Sequence, residues 1–166
     1  MIRVVQHPAA DLAVDAIVRA ADASLAPLGA ASSALDSAAG PSFQSQRQVV
    51  APLEAGAAVI TGAGDLAAEF VLHIVLASEE RATTPEIVRR ALVSAWHRAE
   101  GWELTTIGAP LAAVAVADLS LDTAVRLLID TFQERRPESR FPAELQIIVT
   151  GPAEQALVDA LLGSAK

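Results

Sequence analysis

The amino-acid sequence predicts a layered α/β fold. Apolar runs of strand length alternate along the chain with segments that have the 3.6-residue periodicity of helices. One run, FVLHIVL at residues 70–76, is apolar on both faces, as expected of a central strand covered by helices on both sides. The chain has 166 residues and is 52% hydrophobic, so it can bury the core of one domain. We therefore predict a single domain over residues 1–166.

Six strands are predicted from these apolar runs and from the residues that interrupt them. The first ends before Pro8, and Gly62 and Gly64 separate the third from the fourth. The predicted strands cover residues 2–6, 15–19, 57–61, 70–76, 105–109 and 145–149.

The helices are predicted from caps and apolar stripes. Two short helices are expected at residues 33–39 and 43–50. Thr84 and Ser120 are N-caps for two longer helices. The last helix is expected at residues 152–162, with Gly163 just past its end. The two long helices should bury the stripes Ile87, Val88, Ala91, Leu92, Ala95 and Trp96, and Leu121, Ala124, Val125, Leu128 and Phe132.

The composition excludes several function classes. A net charge of -8 disfavours nucleic acids and anionic membranes as partners. No apolar run reaches the ~20 residues that a membrane-spanning helix needs. Cysteine is absent, which excludes thiolate chemistry, and Lys166 is the only lysine, so no lysine base is expected in a site. We expect a cytoplasmic protein without a metal or cofactor.

Three separated segments carry motifs of one known family. VDAIVRAAD at residues 14–22 is followed, at matching distance, by AAGP at 38–41. Residues 56–73, GAAVITGAGDLAAEFVLH, follow the pattern G-x-A-x-x-T-x-G-x-x-L-x-A-x-x-V-x-H with a one-residue difference near its start. Residues 108–124 align with F-P-A-I-S-T-G-I-Y-G-F-P-L-E-E-A. The chain thus resembles the macro domain, a module that binds ADP-ribose. This resemblance implies a three-layer α/β/α sandwich around a mixed sheet of about six strands.

The positions that contact ADP-ribose in that family match less well. By the resemblance, Pro8 stands in place of the aspartate that holds adenine. Arg19 and Asp22 replace the asparagines of N-A-A-N, the second of which reaches the distal ribose. Ser32 stands where hydrolytic members have an aspartate. The four glycines of the first phosphate loop correspond to Pro27, Leu28, Gly29 and Ala30, and the S-T-G-I-Y-G loop to Ala113, Val114, Ala115, Val116, Ala117 and Asp118.

These replacements act against a diphosphate. Glycine-rich loops bind phosphate through backbone N–H groups that no side chain shields. Pro27 has no N–H, and Leu28 and Ala30 add carbon atoms near the phosphate space. If Asp118 points inward, it repels a phosphate charge at ~4 Å by ~4 kcal/mol for an effective dielectric of ~20. We therefore predict that ADP-ribose binds no more tightly than about 100 μM.

The remaining polar residues leave two interpretations of Arg19. Its guanidinium either binds an anionic ligand or forms an internal ion pair with Asp22 or Asp118, and we favour the pair. His73, in an apolar strand, is expected to be a core residue; the alternative is a ligand or catalytic role. His7 and His97 are expected at the surface, and Asp11, Asp15 and Asp36 at caps or solvated positions.

Three functions follow from these residues. We favour a non-catalytic binding or interaction module with a degenerate cleft, whose partner is a small anion, a protein or a second copy. The alternatives are a weak ADP-ribose or nucleotide binder and an ADP-ribosyl hydrolase. Unshielded N–H groups at residues 28–31 and 113–117 would favour the weak binder. A cleft closed by side chains would favour the degenerate module.

Overall fold

A computed structural model describes residues 1–165. It contains one six-stranded sheet and six α-helices, with a short 3-10 turn at Ala9–Asp11. The strands are β1 (Ile2–Val5), β2 (Ala16–Asp22), β3 (Ala58–Gly62), β4 (Phe70–Ala77), β5 (Thr106–Pro110) and β6 (Glu144–Ile148). The helices are α1 (Gly29–Ala39), α2 (Pro41–Gln46), α3 (Pro85–Gly101), α4 (Leu111–Val114), α5 (Leu121–Gln133) and α6 (Pro152–Ser164).

The sheet is mixed, in the order β1-β6-β5-β2-β4-β3. Every neighbouring pair is parallel except β3 and β4, which are antiparallel. Because β2 and β5 are parallel neighbours, their carboxyl ends lie at the same edge of the sheet. The loops that follow them, residues 23–28 and 111–120, are therefore brought together.

Helices cover both faces of the sheet, which makes three layers. Leu92 and Trp96 of α3, Leu128 of α5 and Val158 of α6 belong to the core cluster on one face. On the opposite face, Leu35 of α1 and Phe43 of α2 pack over β2 and β4. The predicted α/β/α sandwich with a mixed six-stranded sheet is confirmed.

Most elements lie within a residue or two of their predicted bounds, and the predicted caps form. Thr84 Oγ1 accepts a hydrogen bond from the N–H of Ile87 at 3.2 Å, and Ser120 Oγ one from Thr123 at 3.1 Å. The buried stripes of α3 and α5 are as predicted, except that Leu121 is 41% exposed. Leu121 directly follows the cap, so it points to solvent before the buried stripe begins.

Three helix bounds and one strand end were predicted wrongly. Strand β2 continues to Asp22 and does not end at residue 19. Helix α1 begins at Gly29 rather than at residue 33, and α6 continues through Gly163 to Ser164. Helix α2 ends at Gln46 rather than at residue 50. Beyond it the chain turns away, because the N–H of Leu53 bonds to Ala23 O at 2.8 Å and its side chain packs near the β2 end. No helix in residues 1–165 combines the length and the apolar character needed to cross a membrane.

Candidate functional site

Asp22, at the end of β2, stabilises the loop that follows it. Its Oδ1 accepts hydrogen bonds from the N–H of Ser24 at 2.8 Å, from Ser24 Oγ at 2.7 Å and from the N–H of Ala26 at 3.0 Å. Burial would raise the pKa of Asp22, but these hydrogen bonds and the nearby charge of Arg19 together lower it. The carboxylate is therefore held by its own loop, and it does not pair with Arg19 as one of our alternatives predicted.

The first loop leads from β2 into α1 and uses part of its backbone internally. Pro27 forms a β-bridge with Ala21, and the N–H of Leu28 donates to Ala20 O at 3.1 Å. Buried Ser32 accepts a hydrogen bond from the N–H of Ala20 through Oγ at 3.0 Å. The hydroxyl that replaces the family aspartate thus joins α1 to β2.

The first turn of α1 has backbone N–H groups that donate no hydrogen bond. Within the described chain, the N–H groups of Gly29, Ala30 and Ala31 make no hydrogen bond. Gly29 and Ala30 are exposed, and Ala31 is half-buried. Gly29 has φ +82°, a conformation that favours glycine at this position.

The second loop, after β5, packs against the first. A Cβ atom added at Gly29 would lie 3.3 Å from Cγ1 of Val116, so the valine side chain lies directly over this turn. The N–H of Ala115 bonds to Leu111 O and that of Val116 to Val114 O, each at 2.9 Å. Buried Ala113 and Val114 belong to α4. This loop is therefore tied to its own backbone and to α1.

Asp118 and Pro8 both lie at the surface. Asp118 is exposed, so water screens its charge and the strong repulsion expected of an inward carboxylate does not apply. Pro8 is exposed ahead of the 3-10 turn, and its carbonyl accepts from the N–H of Asp11 at 3.1 Å. His7 and His97 are also exposed, as predicted.

Arg19 forms the predicted internal ion pair, but with a different partner. Its side chain is 0% exposed, and Nε and Nη2 donate to the two carboxylate oxygens of Asp36 at 2.6 and 2.8 Å. Asp22 is excluded because residues three apart on a strand point to opposite faces, and Asp118 is excluded because it lies at the surface. Asp36, expected at a cap or solvated position, is only 17% exposed on α1. The pair lies between the sheet and α1.

His73, on β4, continues this buried polar chain. Arginine only donates, so Nη1 of Arg19 donates to Nδ1 of His73 at 3.1 Å. The ring proton must then lie on Nε2, which donates to Thr61 Oγ1 at 2.7 Å. Thr61 in turn donates to Gly62 O at 2.9 Å. Burial, with the charges of Arg19 and Arg47, lowers the pKa of His73 to about 3. His73 is a neutral core residue, as we favoured.

Arg47, directly after α2, lies beside the same cluster and was not singled out from the sequence. Its Nη1 donates to Leu25 O at 3.0 Å, whereas Nη2 lies 3.6 Å from Asp36 Oδ2. Its Nε is buried and, among the described residues, has no hydrogen-bond partner. Phe43 of α2 stacks on His73, with ring centroids 5.9 Å apart. No sequence pattern indicates that Arg47, a charged residue after a short helix, is mostly buried.

Two surface cavities are lined by residues that do not belong to either loop. One, of about 340 Å³, is lined by residues between Arg81 and Arg90 at the start of α3. The other, of about 360 Å³, is lined by residues between Asp36 and Arg47. The structure therefore brings the two loops together at Gly29 and Val116, and it places Arg19 in a buried cluster under α1.

Comparison with known proteins agrees with this architecture. The family model described as Macro domain matches residues 18–128, and the chain belongs to that family. An uncharacterized protein of Mycobacterium tuberculosis is 30% identical over 138 residues, which cover 83% of this chain and 38% of the relative. The chain thus spans little more than a third of that relative's length.

Two further similarities cover nearly whole domains. The O-acetyl-ADP-ribose deacetylase 1 of Pantoea vagans is 28% identical over 145 residues, covering 84% of this chain and 85% of that protein. A glycine-to-valine mutant of the Oceanobacillus iheyensis macrodomain, solved with ADPR, superposes with a TM-score of 0.82 at 20% identity. That match covers 98% of this chain and 91% of the other.

Proposed function

We propose that residues 1–166 form a single, non-catalytic binding or interaction module on a macro-domain scaffold, with a degenerate ADP-ribose cleft. The observation that carries this proposal is the packing of Val116 over Gly29. We keep the cytoplasmic location and the absence of nucleic-acid and membrane partners that we expected from the sequence.

The first argument concerns backbone donors. A diphosphate is held by several N–H groups that converge on its oxygens. In the first loop Pro27 has none and that of Leu28 is bonded to Ala20. In the second loop the N–H groups of Ala115 and Val116 are bonded within the loop. A phosphate would have to break these hydrogen bonds before it could form its own.

The second argument is steric. The phosphate loops of this fold need space between them, and the branched side chain of Val116 occupies space next to the turn at Gly29. Because Asp118 is exposed, we assign the loss of affinity to this side chain and to the occupied donors rather than to charge repulsion.

A hydrolase is disfavoured by the position of Ser32. Its hydroxyl is buried and bonded to the N–H of Ala20, so it cannot replace a solvent-facing carboxylate that would activate water. Asp22 is likewise held by Ser24 and Ala26. The deacetylase name belongs to the Pantoea relative, and these two contacts argue against carrying that activity over to this chain.

The alternative function is a weak ADP-ribose or nucleotide binder. The unshared N–H groups of Gly29, Ala30 and Ala31 at the first turn of α1 favour it, because helix N-termini attract anions. The glycine-to-valine macrodomain mutant solved with ADPR indicates that one added valine did not abolish binding in that protein.

Calorimetric titration with ADP-ribose separates these functions. We expect a dissociation constant above about 100 μM, that is, a binding free energy weaker than roughly -5.5 kcal/mol. Val116→Gly should tighten binding, because it removes the side chain over Gly29. Val50→Gly is the matched control, since Val50 is 108% exposed on a loop and should leave binding unchanged. A micromolar constant for the unaltered chain would reject the degenerate cleft and establish the alternative.

A further inference from the structure

A second candidate site lies under the carboxyl end of α1, outside the macro-domain cleft. The cavity there has a volume of about 360 Å³ and is bounded by the chain from Asp36 to Arg47. It opens beside the buried pair of Arg19 and Asp36 rather than beside Gly29 and Val116. Its ligand would therefore be independent of the proposed function.

At this cavity two positively charged guanidinium groups, those of Arg19 and Arg47, lie near one carboxylate, that of Asp36. The two oxygens of Asp36 are taken by Arg19, at 2.6 and 2.8 Å. Arg47 remains 3.6 Å from that carboxylate, beyond a direct hydrogen bond. His73 is neutral, since burial lowers its pKa to about 3. Two guanidinium groups thus share one carboxylate, and Arg47 has the weaker contact.

The hydrogen bonding of Arg47 is also incomplete. Its side chain is 19% exposed, yet its Nε is buried without a partner among the described residues. A buried donor without a partner is unfavourable, so native structures usually provide one, from protein, water or an ion. Ser37 and Gln44 add polar side chains to the cavity wall. Asp65, beside Gly40 at the rim, is exposed and therefore screened by water.

We infer that this cavity binds a small oxyanion, a carboxylate or phosphate group, through the guanidinium of Arg47. Guanidinium groups hold such oxygens by charge-assisted hydrogen bonds. An anion over the exposed part of Arg47 would balance the charge of the second arginine. The ligand is small, because the cavity is about 360 Å³.

The test is a titration followed by ¹H–¹⁵N NMR, with inorganic phosphate and acetate as separate probes and sodium chloride at equal ionic strength as control. We expect saturable shifts at the Arg47 Nε–H and at backbone amides of residues 37–47, with a dissociation constant below about 10 mM for one of the two oxyanions. The probe that saturates identifies phosphate or carboxylate as the preferred group.

Two variants and two matched controls assign the site. Arg47→Gln should weaken oxyanion binding at least about tenfold, since it removes the charge-assisted bonds. Ser37→Asp, at an exposed wall position, should weaken it similarly by repulsion without disturbing the core. Ser33→Asp, one turn earlier on α1, and Arg81→Gln, at the other cavity, should leave it unchanged.

Three results would overturn the inference. They are saturation by chloride as strong as by either oxyanion, shifts at residues 29–31 and 112–118 instead of 37–47, and the absence of any saturable shift. The amides of residues 37–47 report on this cavity, and those of residues 29–31 and 112–118 report on the two loops. The same spectra therefore distinguish failure of this site from failure of the degenerate-cleft proposal.

Discussion

At the scale of single residues, the buried pair of Arg19 and Asp36 should contribute strongly to stability. Arg19→Ala removes a fully buried guanidinium and leaves a mostly buried carboxylate without its bidentate partner. We expect the free energy of unfolding to fall by about 3 kcal/mol or more, measured by urea denaturation. Arg126→Ala, which breaks an exposed pair with Asp122, should leave the urea midpoint nearly unchanged. A loss under about 1 kcal/mol for Arg19→Ala would mean that the pair behaves like a surface pair.

His73 makes stability depend on pH. Its pKa is about 3 in the folded chain and near 6.5 when unfolded, so below pH 6.5 the unfolded state binds the extra proton. Stability is therefore lost as pH falls from 6.5 towards 3, and the loss between pH 7 and pH 5 should be about 2 kcal/mol. Urea denaturation across this range measures the slope. In His73→Gln the free energy of unfolding should depend less on pH, whereas substitution of exposed His7 should leave its pH dependence unchanged. Equal slopes in all three proteins would contradict the assignment.

The sequence predicted that Arg19 forms an internal ion pair, but it did not identify Asp36 as the partner. Strand alternation excludes Asp22, but only because β2 continues to Asp22 and does not end at residue 19 as predicted. The choice of Asp36 needs the register of α1 on the sheet, which depends on packing between residues 17 positions apart. Arg47 gave no signal, because its burial follows from how the chain turns after α2.

At the scale of elements, the contact between the two loops can be tested at Gly29. Gly29→Ala introduces a Cβ at φ +82° and 3.3 Å from Cγ1 of Val116. We expect a loss of about 1–2 kcal/mol in the free energy of unfolding, measured by chemical denaturation. Gly163→Ala, in α6 with no atom near its new Cβ, should instead be neutral or stabilise by up to about 1 kcal/mol. Equal effects of the two changes would show that the turn is not constrained.

The strands were easier to predict than the helices around the site. Apolar runs and glycine breaks predicted the ends of each strand to within a few residues. They do so because the buried strands of the sheet consist mainly of apolar residues. The first turn of α1 and the whole of α4 are alanine-rich and lack capping side chains, so local sequence does not mark where they begin. The proposed loss of ADP-ribose binding rests on these two segments, which are thus also the least predictable elements.

At the scale of the whole molecule, the order of motifs along the chain predicted the architecture. Three motif segments in register imply the α/β/α layers, and the observed sheet has β3 as its antiparallel edge strand. The space between the two loops depends on residues that meet from segments roughly 90 residues apart, such as Gly29 and Val116. The resemblance could therefore predict which fold forms but not how far that fold retains its ligand.

The stability of the whole fold should report weak ligand binding directly. A ligand that binds only the folded chain stabilises it by RT ln(1 + [L]/Kd), so about 1 mM ADP-ribose with a Kd of 100 μM or more contributes at most about 1.4 kcal/mol. For a domain of this size that raises Tm by no more than about 6 °C, whereas a micromolar ligand would raise it by about 8 °C or more. We expect the smaller shift in a thermal melt, and a larger one in Val116→Gly. A shift of the larger kind in the unaltered chain would mean that the loops still accommodate a diphosphate, with Val116 moving aside and the N–H groups of Gly29, Ala30 and Ala31 as its donors.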